Sequence, residues 1–324
     1  MAKKVRKNVK QDVLPSEGRC GFTLVEVLTA TMIAIFVGSA ILLVGRWTVL
    51  ISVKLARQAE ARNRGRYVLS LLEPRVLHVG LGLPSSPVAG SLQAAFGADG
   101  PPPGSWRPSL GALQIYRDNP GTVQEAGEGG VFKGSAFLVF YSVPSGLRLG
   151  VPTSAAEGAV QVPLLPSMDG VGSWGELFSS GRRRDLRCWI SLPPLRRPFY
   201  VSDRSQGRLQ LEPAVPTEVP AFGEVHFLRC ERFHVRDGTL YSQEMQETWF
   251  PPNSQPRVDG VLAMWVEWTP AMRLCEVWIL TCGGEAALGP GMRPARWPEE
   301  APWEPEFGKQ ELYVSRASWR LRNL

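Results

Sequence analysis

The chain has 324 residues, with 36 Lys plus Arg against 30 Asp plus Glu, five Cys and a formal net charge of +6. At 44% hydrophobic and 20% charged residues it is neither a disordered polymer nor a polytopic membrane protein. Its 33 Gly and 28 Pro argue against an all-helical bundle and for many turns between short strands.

The charge is unevenly spread. Residues 1–21 hold Lys3, Lys4, Arg6, Lys7, Lys10 and Arg19 against Asp12 and Glu17. Residues 54–75 hold Lys54, Arg57, Arg62, Arg64, Arg66 and Arg75 against Glu60 and Glu73. Between them Glu26 balances Arg46, so everything from residue 76 onward is slightly acidic. A body with that balance has no electrostatic reason to hold nucleic acid, and no nucleic-acid partner is expected.

Residues 22–45 read FTLVEVLTATMIAIFVGSAILLVG, with Glu26 as the one ionisable side chain. As a helix this segment would extend ~36 Å, enough to cross a hydrocarbon layer of ~30 Å. The cationic stretch before it predicts a cytoplasmic N-terminus and an extracytoplasmic remainder. The apolar run is longer than that of a secretory signal peptide and is followed by Arg46-Trp47, so it is expected to be retained as a single-pass transmembrane segment. Glu26 is the anomaly. A carboxylate in a membrane helix costs about 2.5–3.5 kcal/mol near the bilayer centre, and it needs a partner or a task.

The run Gly21-Phe22-Thr23-Leu24-Val25-Glu26 resembles the processing site of type IV prepilins. That resemblance implies a leader, residues 1–21, removed by a membrane-embedded prepilin peptidase between Gly21 and Phe22. It also implies methylation of the new N-terminus to N-methylphenylalanine, with Glu26 at the fifth mature position. Cleavage would create an α-ammonium in lipid, opposite in charge to Glu26 and poorly placed to pair with it within one helix. Between neighbouring subunits the two charges attract strongly, and either alone is penalised, so Glu26 is expected to set the register of assembly.

No proline interrupts residues 22–73, and the stretch after Gly45 is rich in good helix formers. One continuous helix there would span ~78 Å. A loose stripe of Ala56, Ala59, Asn63, Tyr67 and Leu71 is expected to face the rest of the domain or neighbouring helices. Pro74 marks an end or a kink. The stretch NRGRYVLSLLEPRVLHVGLG (63–82) is similar to the corresponding region of PilW-like minor pilins and of J-type pseudopilins of type II secretion, and the closing RASWRLRNL resembles the end of PilW-type chains.

Residues 74–324 read as a β-rich extracytoplasmic, periplasmic domain. A Gly/Pro/Ser-dense surface excursion fills 80–110. Strand candidates follow at 112–116, 136–143, 186–191, 199–202 and 224–228. Asp237-Gly238, between FHVR and TLYS, predicts a type I′ hairpin over 232–242, because both central positions need positive φ. A second hairpin pairs 260–269 with 273–281 through Pro270-Ala271-Met272, and its first strand reads as buried on both faces. A Pro-rich tail leads to a last strand at 311–321.

Cys20 falls in the leader, leaving Cys188, Cys230, Cys275 and Cys282, an even number in a compartment where disulfides persist. Cys275 and Cys282 stand too far apart on one strand to bridge each other, so any disulfide of theirs should reach Cys188 or Cys230. No C-x-x-C or adjacent His suggests a metal site, and no cofactor is expected. The three His lie in no HExxH, and no Gly-x-Ser-x-Gly or Walker A pattern occurs, so no enzyme is expected. His226 and His234 read as surface or satisfied core residues, and the arginines at 182–184 and 196–197 as solvated loop.

The fold expected is α+β and pilin-like, a long N-terminal helix packed on an antiparallel sheet with long loops. The resemblance implies a structural minor pilin of a type IV pilus, in the inner membrane and then in the fibre, active in assembly or initiation. Its implied partners are the prepilin peptidase, other major and minor pilins and the inner-membrane assembly platform. A J-type pseudopilin of type II secretion is the alternative within the class. A bitopic membrane protein with an adhesin or enzyme outer domain is the alternative outside it.

Overall fold

The computed structural model of the chain describes residues 22–83, 111–117, 134–148, 161–163, 188–195, 197–205, 208–212, 214–215, 223–244, 254–285 and 292–324. The expected leader with Gly21 and Cys20, the Gly/Pro/Ser-rich excursion beyond residue 83, the arginines at 182–184 and Arg196 lie outside them. Packing divides the chain into two units, Met1–Ser52 and Val53–Leu324. The architecture is α+β, with one long helix, α1 (Leu24–Leu77), and antiparallel sheets.

In the first unit α1 is long and apolar enough to cross a membrane. None of its residues is buried, and large apolar side chains such as Phe36 and Leu42 are 74% and 76% exposed. Four of its hydroxyls are satisfied within the helix. Thr29, Thr31 and Thr48 donate to the carbonyls of Val25, Val27 and Val44 at 2.9, 3.0 and 2.9 Å, and Ser39 does the same to Ile35. A helix that folds its few polar side chains back onto its own carbonyls presents an apolar surface all round.

In the second unit α1 buries Ala61, Gly65, Val68, Leu72 and Val76, a stripe at spacings of four, three, four and four. The expected stripe is rotated away from this one: Ala56, Ala59, Asn63 and Tyr67 are exposed and Leu71 is half-buried. The helix also continues one turn beyond Pro74. An internal proline costs ~3 kcal/mol. Leu72 and Val76, both fully buried on either side of it, together offset that cost through apolar burial of ~1.5–3 kcal/mol each.

Among the described residues the larger sheet has nine strands. They are β1 (Leu113–Arg117), β2 (Ser135–Arg148), β3 (Gln161–Pro163), β4 (Trp189–Ser191), β5 (Pro198–Ser205), β6 (Arg208–Glu212), β7 (Glu224–Arg236), β8 (Thr239–Glu244) and β9 (Ser254–Asp259). Its main path runs β1-β2-β7-β4-β5-β6-β3, and β8 and β9 branch from β7. The branch arises because β7 is one long strand where two shorter ones were expected. It pairs with β2 along one edge, with β4 at His226 and Phe227 on the other, and with β8 beyond Glu231. The β7–β8 turn is as expected, with Asp237 and Gly238 at φ 48° and 75°.

The smaller sheet orders β10 (Val261–Thr269), β11 (Leu274–Glu285) and β12 (Gln310–Arg320). A 3-10 turn, Pro270–Met272, joins the first two and ends on Arg273 in the left-handed region. Both faces of this sheet are covered. Val266, Val277 and Ile279 pack into a core with Val68, Leu72 and Val76 of α1 and Phe137 and Phe233 of the larger sheet. Trp265, Trp278 and Leu280 face a second core, closed by Trp297 and Phe307 of the tail. The tryptophans are packing residues, as double burial of the strand requires.

Small side chains set how closely α1 approaches this sheet. A Cβ on Gly65 would lie 2.9 Å from the Ser315 Cβ, and one on Gly283 would lie 2.9 Å from the Arg57 Cα. Thr281 donates its hydroxyl to the Ala61 carbonyl at 2.7 Å, and Arg64 donates to the Cys282 carbonyl at 2.6 Å.

Candidate functional site

Two residues of the expected processing and assembly site, Phe22 and Glu26, are described, and Gly21 lies outside the described residues. Phe22 is 83% exposed immediately before α1. Glu26 does not project idly. Its Oε2 accepts the Thr23 backbone N–H and the Thr23 hydroxyl, both at 3.0 Å, while the Thr23 Oγ1 accepts the Glu26 N–H at 3.3 Å. The Thr23 carbonyl accepts the first helical bond from Val27 at 3.2 Å.

This is a capping box, with Thr23 as N-cap and Glu26 at the third helical position. It satisfies donors that would otherwise be orphaned at the helix start, and the carboxylate is favoured there by the helix dipole. The signal was present as Thr-x-x-Glu before an apolar run, and the sequence reading missed it by treating Glu26 as a charge in lipid alone. The same geometry turns the Glu26 carboxylate back toward the chain's entry into the helix, one residue from Phe22.

The cysteines behave as core residues. Cys188, Cys230, Cys275 and Cys282 are all buried. Cys230, Cys275 and Cys282 are thiols, so the expected bridges do not link them. The reason is register: Cys230 lies opposite Phe140, Cys275 opposite Trp268 and Trp319, and Cys282 opposite Leu312. Cys275 and Cys282, an odd number of residues apart on β11, face opposite cores. Burial raises the Cys230 thiol well above its ordinary pKa and pushes Cys275 up to about 12, which makes both poor nucleophiles.

Two polar clusters invite a chemical reading. Ser142 Oγ and His226 Nδ1 lie 3.1 Å apart, and His226 Nε2 lies 3.8 Å from Glu224 Oε2. The line resembles a nucleophile, base and orienting acid, but Ser142 has no solvent exposure for a substrate to reach. Burial lowers the His226 pKa against the opposing pull of Glu224, so the ring is a neutral hydrogen-bonding core group.

The second cluster lies between the C-terminal part of α1 and β2, β7, β8 and β9. Tyr141 donates to Glu231 at 3.0 Å, Arg75 lies 3.5 Å from the same carboxylate, and Arg229 pairs with Glu244. Burial first, then the charge of Glu231, raises the Tyr141 pKa, which keeps the phenol protonated as a donor. Glu231 and Glu244 stand directly opposite each other, a like-charge pair that the two arginines compensate. The cluster is internally satisfied. Among the described residues no group of His, Cys, Asp and Glu is placed to hold a metal ion.

Comparison with known proteins gives no match, neither to a family model, nor to a curated protein, nor to a solved structure.

Proposed function

We propose that the chain is a minor-pilin-like structural subunit, made as a prepilin and built into a type IV pilus or its initiating complex. One observation carries this reading. An uninterrupted helix begins three residues after Gly21, stays apolar and unburied through its first half, and packs a β-rich domain along its second. A subunit of a helical fibre needs both halves, one to wait in the membrane and then bundle with its neighbours, the other to carry the folded body.

In this reading prepilin peptidase cuts between Gly21 and Phe22, and the new amine is methylated. The amine enters a contest between two carboxylates, that of its own capping box and that of an adjacent subunit. Pairing with the neighbour is favoured only when subunits stagger by a fixed step, which makes Glu26 a register device. The exposed stripe of Ala56, Ala59, Asn63 and Tyr67 then faces neighbouring helices in the fibre, since it does not face the chain's own domain. The β-rich body is extracytoplasmic, on the side opposite the basic leader.

The test is mass spectrometry of the N-terminus of the protein recovered from its own cells. Methylated Phe22 is the expected start. A mature chain that still begins at Met1 refutes the reading. Gly21→Glu should leave the leader attached, and efficient processing of that variant would show that the cut lies elsewhere.

A further inference from the structure

The smaller sheet ends at β12, which among the described residues pairs only with β11. An exposed strand edge is a row of unpaired N–H and C=O groups ready to accept another strand. A cleft of about 580 Å³ runs along this edge. It is lined by four consecutive residues of β12, 313–316. Consecutive residues of a strand point to opposite faces, so a cleft that touches four in a row follows the backbone edge and not one face. Four residues correspond to ~13 Å of extended chain.

The walls are basic on both sides. Arg66 of α1 stands on the helix-facing side, and Arg296 and Arg316 stand on the side of Trp278. Arg316 is held by Glu276 and lies 5.1 Å over the Trp278 ring. Arg66 and Arg296 are exposed and form no ion pair among the described residues, and no carboxylate lines the cleft there. Ser315 packs its side chain against Gly65 of α1, is only 6% exposed, and has no hydrogen-bond partner for its hydroxyl among the described residues.

We propose that this cleft takes an extended acidic segment of a partner protein, which adds to β12 as a fourth strand. Main-chain hydrogen bonds to the β12 edge would give the affinity, and alternate side chains of the guest would meet arginine on either face. A second copy of this chain is disfavoured as occupant, because its β12 edge would carry its own Arg316 and Arg320 into a cleft that is already basic. The proposal does not rest on the filament reading above, since it concerns the folded body whether or not the leader is removed.

The experiment titrates full-length protein in detergent against labelled eight-residue peptides at low salt, read by fluorescence anisotropy. The probes are a Glu-Glu-Thr-Thr repeat, which carries acids on both faces of a strand, its Lys-Lys-Thr-Thr counterpart, and the acidic peptide with alternate backbone nitrogens methylated. Saturable binding of the acidic peptide is expected, at least tenfold tighter than either of the others. The double variant Arg66→Gln, Arg296→Gln should weaken it at least tenfold, and both side chains are exposed and without ion-pair partners, so the fold should persist. Hydrogen exchange at residues 313–316 should slow in the complex. Absence of saturable binding, equal binding of the Lys peptide, or unchanged binding by the double variant would overturn the proposal. Undiminished binding of the methylated peptide would do so too, by showing an anion site with no strand pairing.

Discussion

Gly283 offers the sharpest check on how α1 sits against the smaller sheet. A Cβ at this position would lie 2.5 Å from the Arg57 carbonyl carbon and 2.9 Å from its Cα. Ordinary carbon contacts need about 3.5–4.0 Å, so helix or strand must retreat by about 1 Å. The obstacle is backbone, which cannot rotate aside. Retreat would loosen the 2.7 Å bond from Thr281 to the Ala61 carbonyl and unseat Gly65 and Val68. Overpacking of this kind costs about 1–3 kcal/mol and a weakened buried hydrogen bond about 1 kcal/mol more. Gly283→Ala should therefore destabilise by about 2–4 kcal/mol, seen as a lower urea midpoint by near-ultraviolet circular dichroism of the full chain in detergent. Gly38→Ala is the control, because a Cβ there meets nothing within 4 Å. If Gly283→Ala unfolds at the wild-type midpoint, the close approach of strand and helix is wrong.

Further outcomes follow from the same geometry. Gly65→Ala meets the Ser315 side chain and not backbone, so its cost should be relieved by Ser315→Gly in a double-mutant cycle; absence of coupling between the two would refute the contact. His234 is stacked on Tyr241 and held neutral by burial and then by Arg232 and Arg236, with its pKa pushed down to about 3. The unfolded chain binds that proton below about 6.5 and the native state does not, so stability should fall as pH drops from 6.5 toward 3, by on the order of 4 kcal/mol. His234→Phe should flatten this part of the curve, and an identical acid slope in both proteins would sink the assignment. At pH 8 the Cys275 thiol should react with a disulfide reagent on the order of a thousandfold more slowly in the native protein than in urea; rapid native labelling contradicts its burial. Glu26→Gln keeps hydrogen-bonding groups for the cap but removes the charge, whereas Thr23→Ala loses a cap of about 1 kcal/mol and keeps it. If charge sets the register, the glutamine variant should be depleted from sheared fibres far more than the alanine variant. Equal depletion would reduce Glu26 to a cap.

Local chemistry was legible wherever one residue type answers one backbone demand. Asp237-Gly238 had to turn with positive φ, the helix had to run from the first apolar residue while nothing broke it, and β10 had to be buried on both faces. Thr23 and Glu26 could have been read as a cap from their spacing alone. The pairing of β7 with β2, β4 and β8 could not, because those partners come from distant parts of the chain and each alternates apolar residues in the same way.

The face that α1 turns to its domain shows the division most clearly. Alanine at 56 and 59 and tyrosine at 67 make as plausible a stripe as Ala61, Gly65 and Val68, since helical periodicity permits more than one small-residue face. What decided between them is the close packing of backbone on backbone at Arg57 and Gly283, and of Gly65 on Ser315, a relation among residues more than two hundred positions apart. Burial of Leu72 and Val76 carried the helix past Pro74, and strand register left Cys230, Cys275 and Cys282 opposite aromatic and aliphatic partners. By itself the order of residues determined a basic N-terminal stretch, an apolar helix of membrane-crossing length with an acid near its start, and a set of strands and turns. Only the tertiary structure settled which helix face is buried, which strands pair and which polar groups meet, because those depend on steric fit and on hydrogen-bond partners supplied from far along the chain.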